Sequence, residues 1–393
     1  MRIVLYTGKG GVGKTTTAAA TAAHAAARGA RTLLLSADPA HSLGDVLGER
    51  LGPEPRRLAE GLLACELDAR VEMERHWGSV RDWLVALFRY QGIEEVVAEE
   101  LALLPGAEEL AALLAVEAFA RAGRHDLVVV DCAPTGSALR LLSLPDLARG
   151  TLRLVLRLQQ ALAAVVTPVA RSLLAVPLPE AAVFRDAETL LYRRLRALRR
   201  LVAGPGTSVR LVVTPERMVI DEALRAHTDL ALFELRSDAV VMNRLLPDAA
   251  AREPFFADWS RLQAERLTEV EERFAPLPVL RAPLREDEVV GLARLAEHGA
   301  ELFAGRDPAA LLSPGAGLRF VRDAEGLRLE LPLPHAEPGA LEVSKRDDEL
   351  WIAAGGVRRA FKLPRPLARA SLAAARLASG RLVVRFVPGP GGV

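Results

Sequence analysis

The sequence predicts an α/β protein in which helices cover a mostly parallel sheet, with a helical subdomain and a small all-β sandwich at the C-terminus. Three observations support this fold class. Short apolar runs alternate with longer helical segments, two regions show helical periodicity alone, and alternating polar and apolar residues replace both patterns near the end. Apolar strands separated by helices are typical of a parallel sheet that is buried on both faces. A chain of 393 residues, 50% hydrophobic, is long enough to bury such a core and a second, smaller one.

Six runs carry the strand pattern and fall between segments of helical character. They are residues 2–6, 32–36, 127–131, 209–213, 239–242 and 277–281. The helix predicted after the first run, residues 15–28, is mainly Ala and Thr and ends before Gly29. Two regions, at about residues 70–122 and 146–203, show helical periodicity without strand signals, which predicts a helical subdomain. Whether this subdomain only buries its own core or also offers an apolar surface to a partner stays open.

A stretch rich in Gly and Pro divides the sequence into two unequal parts. Residues 1–304 carry the alternation of strands and helices and are expected to form one large domain. Residues 305–317, GRDPAALLSPGAG, are predicted to be a linker. Residues 318–393 contain short runs in which polar and apolar residues alternate, which predicts a small β-sandwich domain.

Charge and cysteine content limit the expected partners and location. The formal net charge of +1 gives no overall attraction to nucleic acid or to anionic lipid. The Arg-rich run at residues 193–200 is expected to be the solvated face of a helix, with contact to nucleic acid or lipid as the alternative. The two cysteines, Cys65 and Cys132, form no C-x-x-C pair, and residues 2–8 already have the pattern of a buried strand rather than of a secretion signal. These features predict a cytoplasmic protein with no nucleic-acid partner.

Residues 7–16, TGKGGVGKTT, have the pattern of a phosphate-binding loop that follows a strand and opens a helix. Glycines let backbone N–H groups close around phosphates, and the helix N-terminus adds positive potential. In this pattern the Lys14 ammonium contacts the β- and γ-phosphates, and the Thr15 hydroxyl is a ligand of Mg²⁺. The sequence therefore predicts a P-loop NTPase. Its nucleotide-binding residues are expected to be Gly8, Lys9, Gly10, Gly11, Val12, Gly13, Lys14, Thr15 and Thr16.

Two aspartates follow predicted strands, where a P-loop enzyme needs carboxylates. Asp131 closes the run LVVVD and is expected to hold the water shell of Mg²⁺, with a helix N-cap as the alternative role. Asp38 follows the run TLLLSA and is expected to orient the water that attacks the γ-phosphate. Its alternative role is to stabilise the turn before Pro39. The residues alone leave both alternatives open.

Five segments, in a fixed order, resemble the ArsA/GET family of ATPases, which belongs to the deviant Walker A class. They are KGGVGKTT (9–16), SADPAHSLGDVLG (36–48), VVVDCAPTGSALRLLSLP (128–145), MNRLLP (242–247) and APLREDEVVGL (282–292). The combination of DPAHS and APTG separates this branch from the partition ATPases. The resemblance covers most of residues 1–304 and implies that the protein binds ATP with Mg²⁺ and hydrolyses it.

The resemblance also implies how ATP is hydrolysed. Lys9 matches the signature lysine of the family, which reaches the nucleotide of the partner subunit across a dimer interface. Asp38 matches the aspartate that positions the hydrolytic water, so Asp38, Lys9 and Lys14 are the implied catalytic residues. Because the chain has a single P-loop, the partner has to be a second copy, and a homodimer is implied.

Further positions match the switch and base-binding segments of the family. The implied switch residues are Pro39, His41, Ser42 and Asp45 in the first segment, and Pro134, Thr135 and Gly136 in the second. Asn243 matches the asparagine that recognises adenine, and it is the single asparagine of the chain. An amide offers the adenine edge a donor and an acceptor, although a strand-end turn residue is the alternative. Residues 282–289 lie near the base in similar proteins, and Pro283 is the one expected to contact it.

The sequence departs from the family pattern at its cysteines, which affects the metal site and the client that are expected. The stretch after MNRLLP has no cysteine, so the zinc site that clasps the dimer of tail-anchored-protein targeting factors is not expected. Two distant cysteines do not supply the three soft ligands that arsenite needs. The leading expectation is a dimeric ATP-driven switch that binds and releases a hydrophobic client. A transmembrane helix is a candidate client, and a membrane receptor is a candidate partner. The alternatives are a subunit of an arsenite transport ATPase and a chaperone or scaffold whose dimerisation the nucleotide controls.

The C-terminal part resembles the α-crystallin (small heat-shock protein) fold. The segment ARLASGRLVVRF at residues 375–386 is close to the A-x-x-x-n-G-x-L pattern of that fold, with Ser379 in the n position. Residues 331–355 have the strand-loop-strand series of the same fold. A generic β-sandwich is the alternative.

Overall fold

A central sheet of eight strands forms the core of the larger part of the protein. The computed structural model describes residues 1–36, 42–90, 92–101, 107–131, 139, 189–315, 317–323 and 326–387. The strands are β1 (Arg2–Thr7), β2 (Thr32–Ser36), β3 (Arg56–Ala59), β4 (Leu62–Glu66), β5 (Leu127–Asp131), β6 (Thr207–Val213), β7 (Ser237–Leu245) and β8 (Val279–Pro283). They lie in the order β3-β4-β2-β5-β1-β6-β7-β8.

The sheet confirms the predicted α/β fold class. Neighbouring strands are parallel except for β3, which runs antiparallel to β4 at one edge. All six predicted strands are present, as β1, β2, β5, β6, β7 and β8, and the edge pair of β3 and β4 was not predicted. Every residue of β2, β5 and β6 is buried, as expected for strands that are covered on both faces.

Ten helices of the larger part surround or adjoin this sheet in the described residues. They are α1 (Lys14–Ala27), α2 (Ser42–Leu47), α3 (Ala69–Tyr90), α4 (Glu95–Leu101), α5 (Ala107–Ala122), α6 (Leu195–Val202), α7 (Arg217–Leu232), α8 (Asp248–Ala251), α9 (Ala257–Arg273) and α10 (Leu292–Phe303). A π-helix at Thr189–Arg194 leads into α6, and a short 3-10 turn at Pro254–Phe256 precedes α9. The small side chains of α1 permit close packing against α10: a Cβ atom on Gly299 of α10 would overlap the Ala20 carbonyl.

The helical subdomain is present where the structure describes it. Helices α3 to α5 occupy most of the predicted region 70–122, whereas of the region 146–203 the structure describes residues 189–203. In the Arg-rich run, the Arg194 guanidinium donates to the Leu114 carbonyl of α5 at 3.3 Å and lies 3.8 Å from the buried Glu117 carboxylate. These contacts attach the π-helix that leads into α6 to α5. None of the described helices combines the length and the apolar composition that crossing a bilayer requires.

Two antiparallel sheets follow toward the C-terminus and confirm the predicted small β-sandwich. Their strands are β9 (Arg319–Asp323), β10 (Gly326–Pro332), β11 (Leu341–Arg346), β12 (Glu349–Ala354), β13 (Val357–Lys362), β14 (Ser371–Ala378) and β15 (Arg381–Val387). One sheet has the order β14-β15-β10-β9 and the other β11-β12-β13. Alternate residues are buried, such as Leu329 and Leu331 in β10 and Leu350 and Ile352 in β12. A 3-10 turn (Pro338–Ala340) and α11 (Arg365–Ala368) connect strands.

The predicted linker is held against the central sheet along part of its length. Arg210 of β6 is fully buried, and its guanidinium donates to the Pro308 and Ala310 carbonyls at 3.0 and 3.2 Å. The Asp238 carboxylate of β7 accepts from Arg210 Nε at 3.3 Å and from the Leu312 N–H at 3.2 Å. A buried charge is tolerated where its hydrogen bonds are satisfied. These contacts fix residues 308–312 before the chain enters the C-terminal sheets.

A buried arginine of β13 joins the C-terminal sheets to the end of α7. The Arg359 guanidinium donates to the Leu232 carbonyl at 2.5 Å and pairs with Glu234, which also lies 3.7 Å from Arg199 of α6. Burial lowers the pKa of Arg359 to about 10, so the group stays charged at neutral pH. Its guanidinium also lies 4.2 Å from the centre of the Phe361 ring. Arg359 therefore satisfies a carbonyl at the end of α7 and forms an ion pair between β13 and the end of α7.

A second contact lies beside the first and uses two histidines. The Thr228 hydroxyl of α7 donates to the Pro334 carbonyl, and His227 Nδ1 lies 3.3 Å from His335 Nε2. Burial lowers the pKa of His227 to about 3 and that of His335 to about 4, so both rings are neutral at pH 7. Two neutral rings can share one hydrogen bond, whereas two imidazolium ions cannot.

Replacing Arg359 should weaken the contact between β13 and the end of α7 far more than replacing Arg358, its neighbour on the same strand. The Arg359 side chain is 1% exposed, whereas that of Arg358 is 61% exposed and pairs with Glu342 at the surface. We expect Arg359→Met to lower the free energy of unfolding by about 3 kcal/mol, because it removes one partner of a buried pair. We expect Arg358→Met to change it by less than about 0.5 kcal/mol. Urea unfolding, with protease cleavage at residues 305–317 as a second readout, measures both, and equal effects would contradict the assigned role of Arg359.

Candidate nucleotide-binding site

The loop between β1 and α1 has the geometry that phosphate binding needs. Gly13 precedes α1 with φ of 90°, a left-handed conformation that favours glycine, and a Cβ atom there would overlap the Asn243 side-chain nitrogen. A Cβ atom on Gly8 would overlap the Val212 carbonyl at the end of β6. Gly8 is therefore required by the approach of the Val212 backbone, and Gly13 by the Asn243 side chain and by its own φ. The N–H groups at the start of α1 are left to face a ligand, as at anion-binding helix N-termini.

The two lysines of the loop differ in position. Lys14 is the first residue of α1, and its ammonium donates to the Lys9 carbonyl at 3.2 Å. The backbone of Lys9 thus takes part in this contact and its side chain does not. Lys9 borders a cavity of about 740 Å³ that is also lined by Thr7, Arg225 of α7 and His335 of the C-terminal sheets. Neither Asn243 nor Pro283 lines this cavity, so Lys9 faces a different space from the residues expected at the base.

Hydroxyl groups from the loop and from α2 lie together. Thr15 Oγ1 is 3.1 Å from Ser42 Oγ, which begins α2 and is one of the predicted switch residues. The Glu66 carboxylate, at the end of β4, accepts from the Leu43 and Gly44 N–H groups at 2.9 and 3.0 Å. A carboxylate at a helix N-terminus stabilises it through hydrogen bonds and through the helix dipole. Glu66 therefore holds the first turn of α2 next to Thr15.

Asp131 ends β5 at the same edge of the sheet. Its backbone lies opposite Tyr6 of β1 on one side and Ser36 of β2 on the other, and the residue is 1% exposed. The Ser36 hydroxyl lies 3.4 Å from the Asp131 carbonyl oxygen. The carboxyl ends of parallel strands meet at one edge, so Asp131 lies beside the segment that enters the loop at Thr7. A carboxylate with the hydroxyls of Thr15 and Ser42 is an oxygen donor set of the kind that Mg²⁺ prefers.

Asn243 lies against the phosphate loop. Its side-chain Nδ2 donates to the Val12 carbonyl at 2.8 Å, and its Oδ1 accepts from the Arg244 N–H at 2.9 Å. Each contact uses one donor or one acceptor of the amide, which leaves a second N–H and a second lone pair. The arrangement is compatible with adenine recognition, which stays a prediction.

Pro283 lies one strand further along the same edge. It ends β8 and pairs with Leu245 of β7, two residues after Asn243. Pro283 borders a cavity of about 430 Å³ that Pro247, Arg285 and Glu301 also line. Its position next to β7 is consistent with a site near the base. Contact with the base remains an expectation.

Several predicted residues have no described position. Asp38, Pro39 and His41 of the first switch, and Pro134, Thr135 and Gly136 of the second, lie outside the described residues. Asp45 is described and is exposed on α2. Cys132 also lies outside the described residues, whereas Cys65 is buried in β4, where burial raises the pKa of its thiol to about 12. A buried, protonated thiol is a poor soft-metal ligand.

Two residues of the site were missed in the sequence. Glu66 ends the run LLACE as Asp131 ends LVVVD, so an acidic residue at a strand end was the available signal. Arg244 adopts a left-handed backbone conformation with φ of 58°, and its N–H fixes the Asn243 amide. No sequence pattern marked Arg244, because its role rests on its backbone.

Comparisons with known proteins identify the family of this chain. The family model described as "Anion-transporting ATPase" matches residues 1–304, and one described as "HSP20-like domain found in ArsA" matches residues 324–386. A putative arsenical pump-driving ATPase of Chlorobaculum tepidum is 36% identical over 93% of this chain and 90% of its own length. The putative arsenical pump-driving ATPase 1 of Aquifex aeolicus is 34% identical over 93% of this chain and 95% of its own. The ATPase GET3 of Podospora anserina is 27% identical over 75% of this chain and 88% of its own.

The extent of these matches decides the family. One family model spans more than half of the chain, and relatives above 30% identity align over nearly their whole length. The resemblance seen in the sequence is therefore confirmed, together with the HSP20-like character of the C-terminal sheets. The chain belongs to the ArsA family of anion-transporting ATPases.

Proposed function

We propose that this protein hydrolyses ATP as a homodimer and couples hydrolysis to the binding and release of a hydrophobic client. The observation that carries the proposal is one edge of the central sheet. Three contacts support it: Lys14 donates to the Lys9 carbonyl of the phosphate loop, the Thr15 and Ser42 hydroxyls lie 3.1 Å apart, and Asp131 pairs with Tyr6 near the end of β1. Hydrolysis of a nucleoside triphosphate requires a phosphate cradle, a cation for the β- and γ-phosphates and oxygen ligands for a metal.

Each group of this edge has a proposed task. The loop N–H groups bind the phosphates, and Lys14 exchanges the Lys9 carbonyl for the β- and γ-phosphates of ATP. Thr15 and Asp131 would hold Mg²⁺, partly through water, and the bound ion would neutralise charge on the phosphates. Asp38 orients the attacking water and accepts its proton or a hydrogen bond from it. Asn243 and Pro283 bind the adenine.

Lys9 is the reason for proposing that the enzyme works as a dimer. Its backbone serves the loop of its own chain through the contact with Lys14, and that contact does not use its side chain. A lysine that stabilises charge on the γ-phosphate of the partner subunit would act as an arginine finger does in trans. ATP would then hold two copies together, and hydrolysis would release them.

The coupling to a client is proposed to pass through the two switch segments. The first runs from Asp38 into α2, whose first turn Glu66 holds beside Thr15, and the second begins at Asp131. Loss of the γ-phosphate changes what these segments contact, and the helical subdomain changes shape with them. We propose a division into residues 1–304 as the ATPase domain, 305–317 as the linker and 318–393 as the α-crystallin-like domain. The helical subdomain would bind the client, for which a transmembrane helix of another protein is a candidate.

A second candidate function is ATP supply to an arsenite pump. Two relatives favour it, since both are described as putative arsenical pump-driving ATPases. The cysteine content opposes it, because the chain has two cysteines and Cys65 is buried with a raised pKa. A chaperone with nucleotide-controlled dimerisation is the third candidate, which the HSP20-like match supports.

One set of assays separates these candidates. ATP hydrolysis by the full chain is measured with and without Mg²⁺, with arsenite or antimonite, and with an apolar transmembrane peptide in detergent. We expect hydrolysis that needs Mg²⁺, rises with the peptide and is unaffected by arsenite. A scrambled polar peptide of equal length is the control. Stimulation by arsenite would replace the client proposal with the pump, and no hydrolysis under any condition would overturn the enzyme proposal.

A further inference from the structure

The side chain of Asn243 is in contact with the phosphate loop itself. We infer that Asn243 is a positioning residue for the loop, which it holds in its phosphate-binding shape whatever base the ligand carries. This inference rests on the proposed nucleotide site. It adds to that proposal a second role for a residue that the family resemblance assigns to adenine alone.

The contact lies at the peptide bond that leads into α1. Asn243 Nδ2 donates to the Val12 carbonyl at 2.8 Å, and Asn243 is 8% exposed. In a planar trans peptide the C=O and the following N–H point in opposite directions. Holding the Val12 carbonyl toward Asn243 therefore aims the Gly13 N–H the other way, toward the side on which the loop closes around phosphates. Asn243 thus sets the direction of a phosphate-binding donor that it does not touch.

The fit between the amide and the loop is tight. A Cβ atom on Gly13 would overlap Asn243 Nδ2, so this glycine is needed to admit the amide as well as to adopt a φ of 90°. The contact joins residues that are 231 positions apart, the end of β7 and the loop after β1. It therefore ties the loop to a strand that is separated from β1 by β6.

The orientation of the amide is fixed from its other side. Asn243 Oδ1 accepts from the N–H of Arg244 at 2.9 Å, so Nδ2 is the atom that faces Val12. Arg244 makes this contact with φ of 58°, a left-handed conformation that an arginine adopts only where the surroundings stabilise it. The backbone of Arg244 thus holds the amide in the orientation that lets it donate to the loop.

Two ligands distinguish the loop role from a base-reading role. Inorganic tripolyphosphate has the phosphates of ATP and no base, so a residue that reads only adenine is not expected to affect it. We expect Asn243→Ala and Asn243→Asp each to weaken binding of Mg²⁺-tripolyphosphate and of Mg²⁺-ATP, by about tenfold, as for loss of one buried hydrogen bond. The Asp variant keeps the shape but cannot donate to Val12. Titration calorimetry of the full chain measures all of these affinities.

The matched control lies on the neighbouring strand. Arg281 of β8 forms a surface ion pair with Glu271, and Arg281→Gln should leave both affinities at the wild-type value. If the Asn243 variants bind tripolyphosphate as wild type does and lose only the preference for ATP over GTP, Asn243 reads the base alone and the inference is wrong. If wild type binds neither ATP nor tripolyphosphate, the proposed function fails and the inference with it.

A measurement without substitutions covers the case in which the variants do not fold. Asn243 is the single asparagine, so labelling with ¹⁵N-asparagine gives one side-chain amide in the nuclear magnetic resonance spectrum of the wild-type protein. We expect the proton that faces Val12 to exchange slowly with solvent, and we expect tripolyphosphate to shift the amide signals. Fast exchange of both protons, with signals that respond to ATP and not to tripolyphosphate, would overturn the inference.

Discussion

The Lys14→Ala variant should lose ATP hydrolysis by about 10²–10³-fold, as when one group that stabilises transition-state charge is removed. Lys14 begins α1, where its ammonium can exchange the Lys9 carbonyl for the phosphates of ATP. Lys9 is the other charged side chain of the loop, and its proposed target is the nucleotide of the partner subunit. Steady-state ATPase assays and ATP titrations of the purified full chain measure the loss.

The loss should not come from unfolding. Lys14 is part of the loop surface, and its hydrogen bond is to a backbone carbonyl that solvent can satisfy. The free energy of unfolding should therefore stay within about 0.5 kcal/mol of wild type, as for most surface substitutions. Lys362→Ala is the matched control, because Lys362 forms an exposed ion pair with Asp348 far along the chain. Wild-type turnover by Lys14→Ala would contradict the assigned nucleotide site.

The Lys9→Ala variant should retain ATP binding and lose hydrolysis, by about 10³-fold or more if it acts as arginine fingers do in trans. Substitution removes the Lys9 side chain and leaves its carbonyl, which is the group that contacts Lys14. The loop geometry of the same chain is therefore preserved. Removal of a cation that acts only on the partner's γ-phosphate lowers the rate of the chemical step and leaves the affinity for ATP intact. Single-turnover rates and ATP titrations separate the two effects.

Loss of binding and turnover together in Lys9→Ala would assign Lys9 to its own nucleotide. Unchanged turnover would show that the second lysine has no catalytic task. Lys9 borders a cavity that Asn243 and Pro283 do not line, which favours neither of these outcomes.

The central strands could be predicted because they are continuous apolar runs. The runs at β1, β2 and β5 are short, fully apolar in their centres and bounded by turn residues, a pattern specific to buried parallel strands. β3 was missed because it is a four-residue edge strand, Arg-Arg-Leu-Ala, which is mostly exposed and too short to show a period. In the C-terminal part, β14 lacks a strand signal in the sequence. Its run SLAAARLA is rich in alanine, which has a low strand propensity.

Site residues that lie at the ends of predicted strands could be predicted from the sequence. Contacts between segments that are far apart in the sequence could not. The loop, Asp131 and Asn243 stand at strand ends, and the sequence places them at one edge of a parallel sheet. Nothing local shows that the Asn243 amide meets Val12, because that contact depends on how β7 lies relative to the loop. The buried Arg210 and Arg359 could not be foreseen either. An arginine in a strand is expected at the surface, and burial is tolerated here only because distant carbonyls and carboxylates accept its hydrogen bonds.

Mixing two inactive variants tests most directly the claim that hydrolysis needs a second copy of the chain. A dimer of one Lys9→Ala subunit and one Lys14→Ala subunit contains one complete site, formed by the intact Lys14 of the first and the intact Lys9 of the second. Each variant should be inactive alone, and an equimolar mixture should regain about a quarter of the wild-type rate, because half of the dimers are mixed and each has one working site. The regained activity should rise with protein concentration. A mixture that stays as inactive as its two components would show that Lys9 and Lys14 serve the same nucleotide and would contradict the dimeric mechanism.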